Sequence, residues 1–260
     1  AQPITAVDVL DLLRTDRALS PDANFTDSFQ PIVSLDDSTA GGLLVSIGWN
    51  RTFGTLDLSR PEAFHALTNR QAELAAEAAR MGLQQARRVI AQSAELGYRD
   101  LPVVAWAPSL LLHPDSGDLA LPNLVTPFLN RAECSRLVVL IDAVPVGSGQ
   151  ALRLLADRGV SIAVTAGAAS AASSADLYGW QRWGVFFPAH VAQGPSGVDG
   201  LTIQQTASAI ATHDTRLIAA ADDHVDTREL NEFNVHWILD PEHGGPSLQG
   251  ALSAYARPRT

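Results

Sequence analysis

Phe29-Gln-Pro-Ile-Val-Ser-Leu35, followed by Gly41-Gly-Leu-Leu-Val-Ser-Ile-Gly-Trp49, decides how this chain is read. Both are short apolar runs rich in β-branched residues, and the polar turn Asp36-Asp-Ser-Thr39 separates them. That pattern predicts two consecutive strands. Neither run alternates cleanly between apolar and polar, so both strands are expected to be buried on two faces.

Beyond the pair, the chain alternates. Residues 5–18 have the spacing of a short amphipathic helix carrying Val7, Val9, Leu10, Leu12 and Leu13. Ser59-Arg-Pro-Glu62 reads as a helix start with a serine cap. The helical pattern runs from there to Gly97, with a break near Thr68-Asn69. Strands are expected over 101–106, 136–141, 160–164, 185–187, 216–219 and 235–239. Helices are expected over about 121–132, 148–157, 172–182, 201–211 and 226–232, with a last one after Pro246. Eight strands, most followed by a helix, predict an α/β fold of the (β/α)8 barrel type whose first strand breaks the alternation. No linker, low-complexity tract or fixed-period repeat divides the sequence, so residues 1–260 are read as one barrel domain, with 1–20 as a helix leading into it.

Composition narrows the function. The formal net charge of −10 argues against a nucleic-acid surface, which needs a concentrated cationic field. One cysteine, Cys134, excludes an internal disulfide and fits a reducing cytoplasm. Ala1 to Arg14 is too polar for a secretory segment, and no apolar run is long enough to span a membrane. All 18 Lys+Arg residues are arginine, which excludes Schiff-base chemistry by a lysine of this chain.

The opening pair resembles the start of an EAL domain, the barrel that hydrolyses cyclic di-GMP. There a QPIVDL-like strand precedes one with an EALLRW-like motif. Gln30, Pro31, Ile32, Val33 and Leu35 keep the first motif. Counted without a gap, the metal-binding glutamate of the second falls on Leu44, its arginine on Gly48 and its final tryptophan on Trp49. Val104-Ala-Trp-Ala-Pro108 lies where the family has VNLSP, which sets Ala105 at the metal-binding asparagine. Leu137 to Ala143 lies on the LELTE-like strand, with Leu140 at the ligand glutamate and Asp142 and Ala143 at its end. Gly159 to Gly167 resembles GxxIALDDFG, with Thr165 and Ala166 at the paired aspartates. The catalytic lysine falls near Phe186, and the VIAEGVE-like segment puts Ala220 and Asp223 at its two glutamates. The family's closing glutamine–glycine corresponds to about Leu239-Asp240.

The resemblance therefore implies an EAL barrel stripped of its chemistry: no catalytic residue, no metal and no cofactor. Two-metal hydrolysis needs converging carboxylates holding cations ~4 Å apart, and neutral side chains cannot do that. Some degenerate members of the family still bind the dinucleotide. In this chain that mode would fall to Gln30, Trp49, Arg51 and Asp223. Contact with another protein is the leading expectation, and a receptor for cyclic di-GMP or a related nucleotide the alternative. A new activity at the barrel mouth comes third.

Other candidates are weaker. Asp142, Asp222, Asp223, His224 and Asp240 fall at strand ends, where a hard metal or ordinary helix caps would both use aspartate. Gly147-Ser-Gly149 is one G-x-G without its third glycine, better read as a turn and cap. Ser109, Ser148 and Ser196 sit in no nucleophile elbow. Tyr178, Trp180, Arg182 and Trp183 concentrate residue types common at interfaces, and predict a partner or homodimer surface.

Overall fold

The computed structural model describes residues 6–36, 39–165, 182–188, 215–220, 230, 235–240 and 244–256. Helix α1 (Ala6–Leu19) and the single turn α2 (Pro21–Asn24) lead into β1 (Phe25–Ser34) and β2 (Ala40–Trp49). A small hairpin follows, β3 (Thr52–Phe53) and β4 (Leu56–Asp57), then α3 (Pro61–Thr68) and α4 (Ala72–Glu95). Next come β5 (Val103–Trp106), α5 (Leu121–Phe128), α6 (Arg131–Cys134), β6 (Leu137–Ile141), α7 (Gly149–Asp157) and β7 (Ser161–Thr165). Strands β8 (Arg182–Pro188), β9 (Arg216–Ala220) and β10 (Trp237–Leu239) and helix α8 (Leu248–Leu252) follow, and short 3-10 turns lie at Ser109–Leu112, Pro114–Leu119 and Ser253–Ala256.

Eight of these strands close into a barrel in the order β1-β10-β9-β8-β7-β6-β5-β2. The first strand runs antiparallel to both neighbours, pairing Gln30 with Leu44 and Ile32 with Leu239, while all other pairs are parallel. The expected irregular α/β barrel is thus present.

Alternation along each strand sorts side chains into two cores. Leu43, Val45, Val103, Ala105, Leu137 and Val139 face outward and pack under the helices. Ile32, Leu44, Val104, Val138, Leu140, Ala163, Phe186, Ile218 and Leu239 face inward and fill the barrel. Each fully buried Leu, Ile or Phe contributes roughly 1.5–3 kcal/mol, so the filled interior holds the barrel closed. Helix α4 lies close to the sheet because its inner face carries the small Ala75, Ala76, Ala79 and Ala86. Arg136 ties its end to β5, donating to the carbonyls of Ile90 (2.9 Å), Tyr98 (2.9 Å) and Leu101 (3.1 Å) and to Ser93 Oγ (2.8 Å).

A third core lies outside the barrel wall. Val9, Leu10 and Leu13 of α1 pack with Ile47 and Trp49 of β2 and with Leu58, Phe64 and Leu74. The floor of the barrel is closed by Arg216, whose guanidinium sits over Trp183 (4.7 Å) and Trp237 (4.9 Å) and donates to the Gly41 carbonyl (3.2 Å). Such stacking of a cation between two rings stabilises most where water is excluded. Gly41 is required there, because an added Cβ would run into the Trp237 ring.

Several local expectations need correction. Ser59 does not cap α3: the cap position is Arg60, without a side-chain bond, and the Ser59 hydroxyl instead donates to Asp57 Oδ1 (2.7 Å). The hairpin β3–β4 was not anticipated. The expected helix over 121–132 is two, α5 and α6, because Asn130 forms its own capping box with Glu133. Strand β8 starts at Arg182, so Trp183 lies in a strand and not at a helix end. The helices expected over 172–182 and 201–211, and nearly all of that over 226–232, lie outside the described residues.

Candidate functional site at the barrel mouth

The carboxyl ends of the parallel strands define the mouth, the side on which barrel enzymes carry their sites. Here it is lined from below by the inward-facing layer. Strand register places Trp106 beside Leu140, Leu140 beside Ala163, and Thr165 beside Phe186. Leu44 is 8% exposed, Leu140 3% and Phe186 6%, so this layer is packed and dry. On β5 the inward residues are Val104 and Trp106. Ala105, set at the asparagine position by likeness to VNLSP, belongs to the outer core and does not face the barrel interior.

Helix α3 crosses this layer. Before it, the main chain of Ser59 covers Gly48, and a Cβ at Gly48 would collide with the Ser59 carbonyl. That backbone is fixed by bonds from Trp49 N to Leu58 O (2.7 Å) and from Leu58 N to Arg51 O (2.9 Å). In the middle of α3, His65 stacks on Trp106 with ring centroids 4.8 Å apart and planes 19° apart. After it, Asn69 donates to Ser109 Oγ (3.1 Å) and Asp142 Oδ2 (3.2 Å) and accepts from Leu110 N (3.1 Å). The helix is thereby attached at the ends of β2, β5 and β6.

His65 is half-buried as a residue, but both ring nitrogens are sealed from solvent and neither has a hydrogen-bond partner. Trp106 Nε1 is sealed and unpartnered in the same way. Burial alone pushes the His65 pKa down to about 3, so the ring is neutral at physiological pH.

The structure places the expected ligand-binding residues apart. Gln30 sits on the inward alternation of β1 beside Leu44, half-buried. Trp49 does not face the mouth: it is fully buried in the outer core and its Nε1 donates to Asp16 Oδ2 (2.8 Å). Arg51 forms a two-pronged pair with the same carboxylate, Nε to Oδ2 at 2.5 Å and Nη2 to Oδ1 at 2.6 Å. Asp16, which the sequence did not single out, organises both; its position in α1, one turn after Leu12 and Leu13, was the available signal. The Arg51 guanidinium, and then the Trp49 indole, hold its carboxyl below the usual carboxylate range against the opposing effect of burial. Asp223 lies outside the described residues.

Of the strand-end acids, Asp142 is engaged by Asn69, and the backbone amide of the buried Asp240 donates to the Pro31 carbonyl (2.8 Å). Asp222 and His224 lie outside the described residues, and among the described ones no three His, Cys, Asp or Glu side chains converge as a metal site. Ser109 is bonded to Asn69, Ser148 is fully buried at the start of α7, and Ser196 lies outside the described residues. Of the aromatic segment, Tyr178 and Trp180 also lie outside, and Arg182 pairs with Ile162 in the β7–β8 ladder. Trp183 is turned into the barrel floor, stacked on Phe186 at 6.4 Å and under Arg216, and is not a surface residue of an interface. A separate cavity of about 100 Å³ lies outside the barrel between Arg17, Phe25, Ile47, Met81 and Arg88. Its arginines are already paired, Arg17 with Glu77 and Arg88 with Asp27 at 3.7 Å.

No protein-family model matches the chain. No curated protein matches it either. Solved structures do. An EAL enzyme, Bd1971, in a cGMP-bound form superposes with a TM-score of 0.72 at 13% identity, over 99% of this chain and 71% of that one. The PaMucR phosphodiesterase in complex with c-di-GMP gives 0.71 at 15% identity, over 95% and 97%. The Xanthomonas citri FimX EAL domain in complex with c-diGMP gives 0.63 at 14% identity, over 93% and 95%. No helix among the described residues is long and apolar enough to cross a membrane. The closed barrel with its reversed first strand is the fold of the EAL domains.

Proposed function

We propose that this chain is a non-hydrolytic EAL-type domain of bacterial signalling that acts by contact with another protein. The observation that carries this reading is what stands at the mouth: a packed apolar layer of Leu44, Leu140 and Phe186, with the Ser59 main chain over Gly48. Two-metal hydrolysis needs carboxylates and a polarised water at those places, and an apolar layer supplies neither. Tight binding of a dinucleotide needs donors or cations for its phosphates. The arginine nearest the mouth motif, Arg51, is committed to Asp16. Recognition through the outer surface needs none of these groups. The partner is a protein, and a second copy through Tyr178, Trp180 and Arg182 is the form this contact takes in the homodimer version of the reading.

A second reading, as a receptor for cyclic di-GMP, draws on Gln30, which keeps its motif position on the inward face of β1. Calorimetry with cyclic di-GMP, with and without Mg²⁺, separates the two. The contact reading expects no heat of binding at micromolar concentrations. Micromolar binding that Gln30→Ala abolishes would establish the receptor.

A further inference from the structure

We propose that α3 is a hinged cap on the barrel mouth, which swings open to water while the barrel beneath stays folded. Its polar attachments are few, Ser59 over Gly48 and Asn69 on Ser109 and Asp142, beside the His65–Trp106 stack; on its other side Phe64 packs edge-on to Trp49 at 6.3 Å, with Ala63 and Leu67 against the same outer core. Both ends are extended joints. Arg60 has φ −81° and ψ 120°, and Gln71 has φ −145° and ψ 138°, and neither carries a side-chain cap. The helix has 8 residues and buries only Phe64 and Thr68.

Beneath it lie His65 Nδ1, His65 Nε2 and Trp106 Nε1, all sealed and unbonded. A buried polar group left unpaired costs about 1–3 kcal/mol. Hydrating these three atoms on opening returns part of what is lost by exposing Phe64, Ala63 and Leu67. Opening the cap therefore costs less than opening the filled barrel, while the closed form remains the major one. Local opening well below the cost of global unfolding is the expected behaviour of such a segment. The motion does not depend on whether the domain acts by protein contact.

Opening also carries a proton. In the closed state burial disfavours the charged form of the His65 ring. The group facing it from β5 is the uncharged Trp106, the neighbouring Glu62 of α3 is exposed, and the carboxylate at the end of β6, Asp142, is bonded to Asn69. Once solvated, the ring titrates near its ordinary value of about 6.5, so acid favours the open cap.

Hydrogen exchange on the whole chain tests this. Amides of α3 from Phe64 to Asn69 are expected to lose about tenfold in protection between pH 7.5 and 5.5, the factor for uptake of one proton at about 6.5. Amides of α4 are expected to keep theirs. His65→Phe keeps a ring on Trp106 but has no nitrogen; it should raise α3 protection and remove its pH dependence. His65→Gln, polar but not titrating, serves the same comparison if the phenylalanine variant does not fold. Protection of α3 equal to that of α4 at both pH values would overturn the proposal, as would a tenfold pH effect that survives in either variant.

Discussion

Asp16 is the residue on which the outer core depends. Its carboxylate satisfies both the buried Trp49 indole and the Arg51 guanidinium. Removing it leaves a buried donor unpaired, at about 1–3 kcal/mol. Asp16→Ala should therefore lower the unfolding free energy by about 2 kcal/mol or more in urea denaturation, and Asp16→Asn, which keeps an acceptor, by less. Because the folded Asp16 pKa is depressed, its contribution is present above the unfolded value of about 3.9 and is lost as pH falls through the folded value. His65 acts in a higher window. Its pKa falls from 6.5 unfolded to about 3 folded, so stability declines as pH drops from 6.5 towards 3, by at most about 1.4 kcal/mol per pH unit. Thermal melts of wild type and His65→Phe between pH 7 and 4 should converge towards high pH and diverge in acid. Gly48→Arg is a further test: the new side chain meets the Ser59 carbonyl, so the variant should be destabilised by about 1–3 kcal/mol or more, as overpacked sites are.

At the scale of elements, α1 is part of the domain and not an appendage, since Val9, Leu10 and Leu13 cover Trp49. A variant lacking residues 1–19 should show red-shifted tryptophan emission and bind a hydrophobic dye, which wild type should not. Most elements were legible because buried strands carry short runs such as Leu137 to Ile141, whose period needs no partner to be seen. The break between α3 and α4 was legible too, from Thr68-Asn69. The hairpin β3–β4 was not, because two-residue strands have no periodicity, and its role in carrying Ser59 over Gly48 is a tertiary fact. For the site, the motif likeness singled out Leu44, Leu140 and the neighbourhood of Phe186, and the structure puts these three in the inward-facing core. Ala105, singled out in the same way, faces outward, and a small residue between Val104 and Trp106 gave no sign of which side it faced. Trp183 was misread because aromatic composition is the same for a surface and for a floor. Asp16 was missed because its partners lie more than thirty positions away, at separations of 33 and 35 in sequence.

For the whole molecule, the barrel is closed at both ends by different means. Arg216 between Trp183 and Trp237 closes the floor, and α3 with its His65–Trp106 stack lies across part of the mouth. Between them, among the described residues, Ile32, Leu44, Val104, Val138, Leu140 and Ile218 pack into an apolar inner core. On the reading proposed above, recognition falls to the outer surface and not to this interior. The proposed function requires that the mouth support no metal-dependent hydrolysis. Incubating the purified chain with cyclic di-GMP and excess Mg²⁺ or Mn²⁺, and following the linear product by chromatography, tests it most directly. Intact cyclic dinucleotide after prolonged incubation, at the level of a protein-free control, is the expected result. Metal-dependent appearance of the linear dinucleotide in proportion to protein concentration would contradict it.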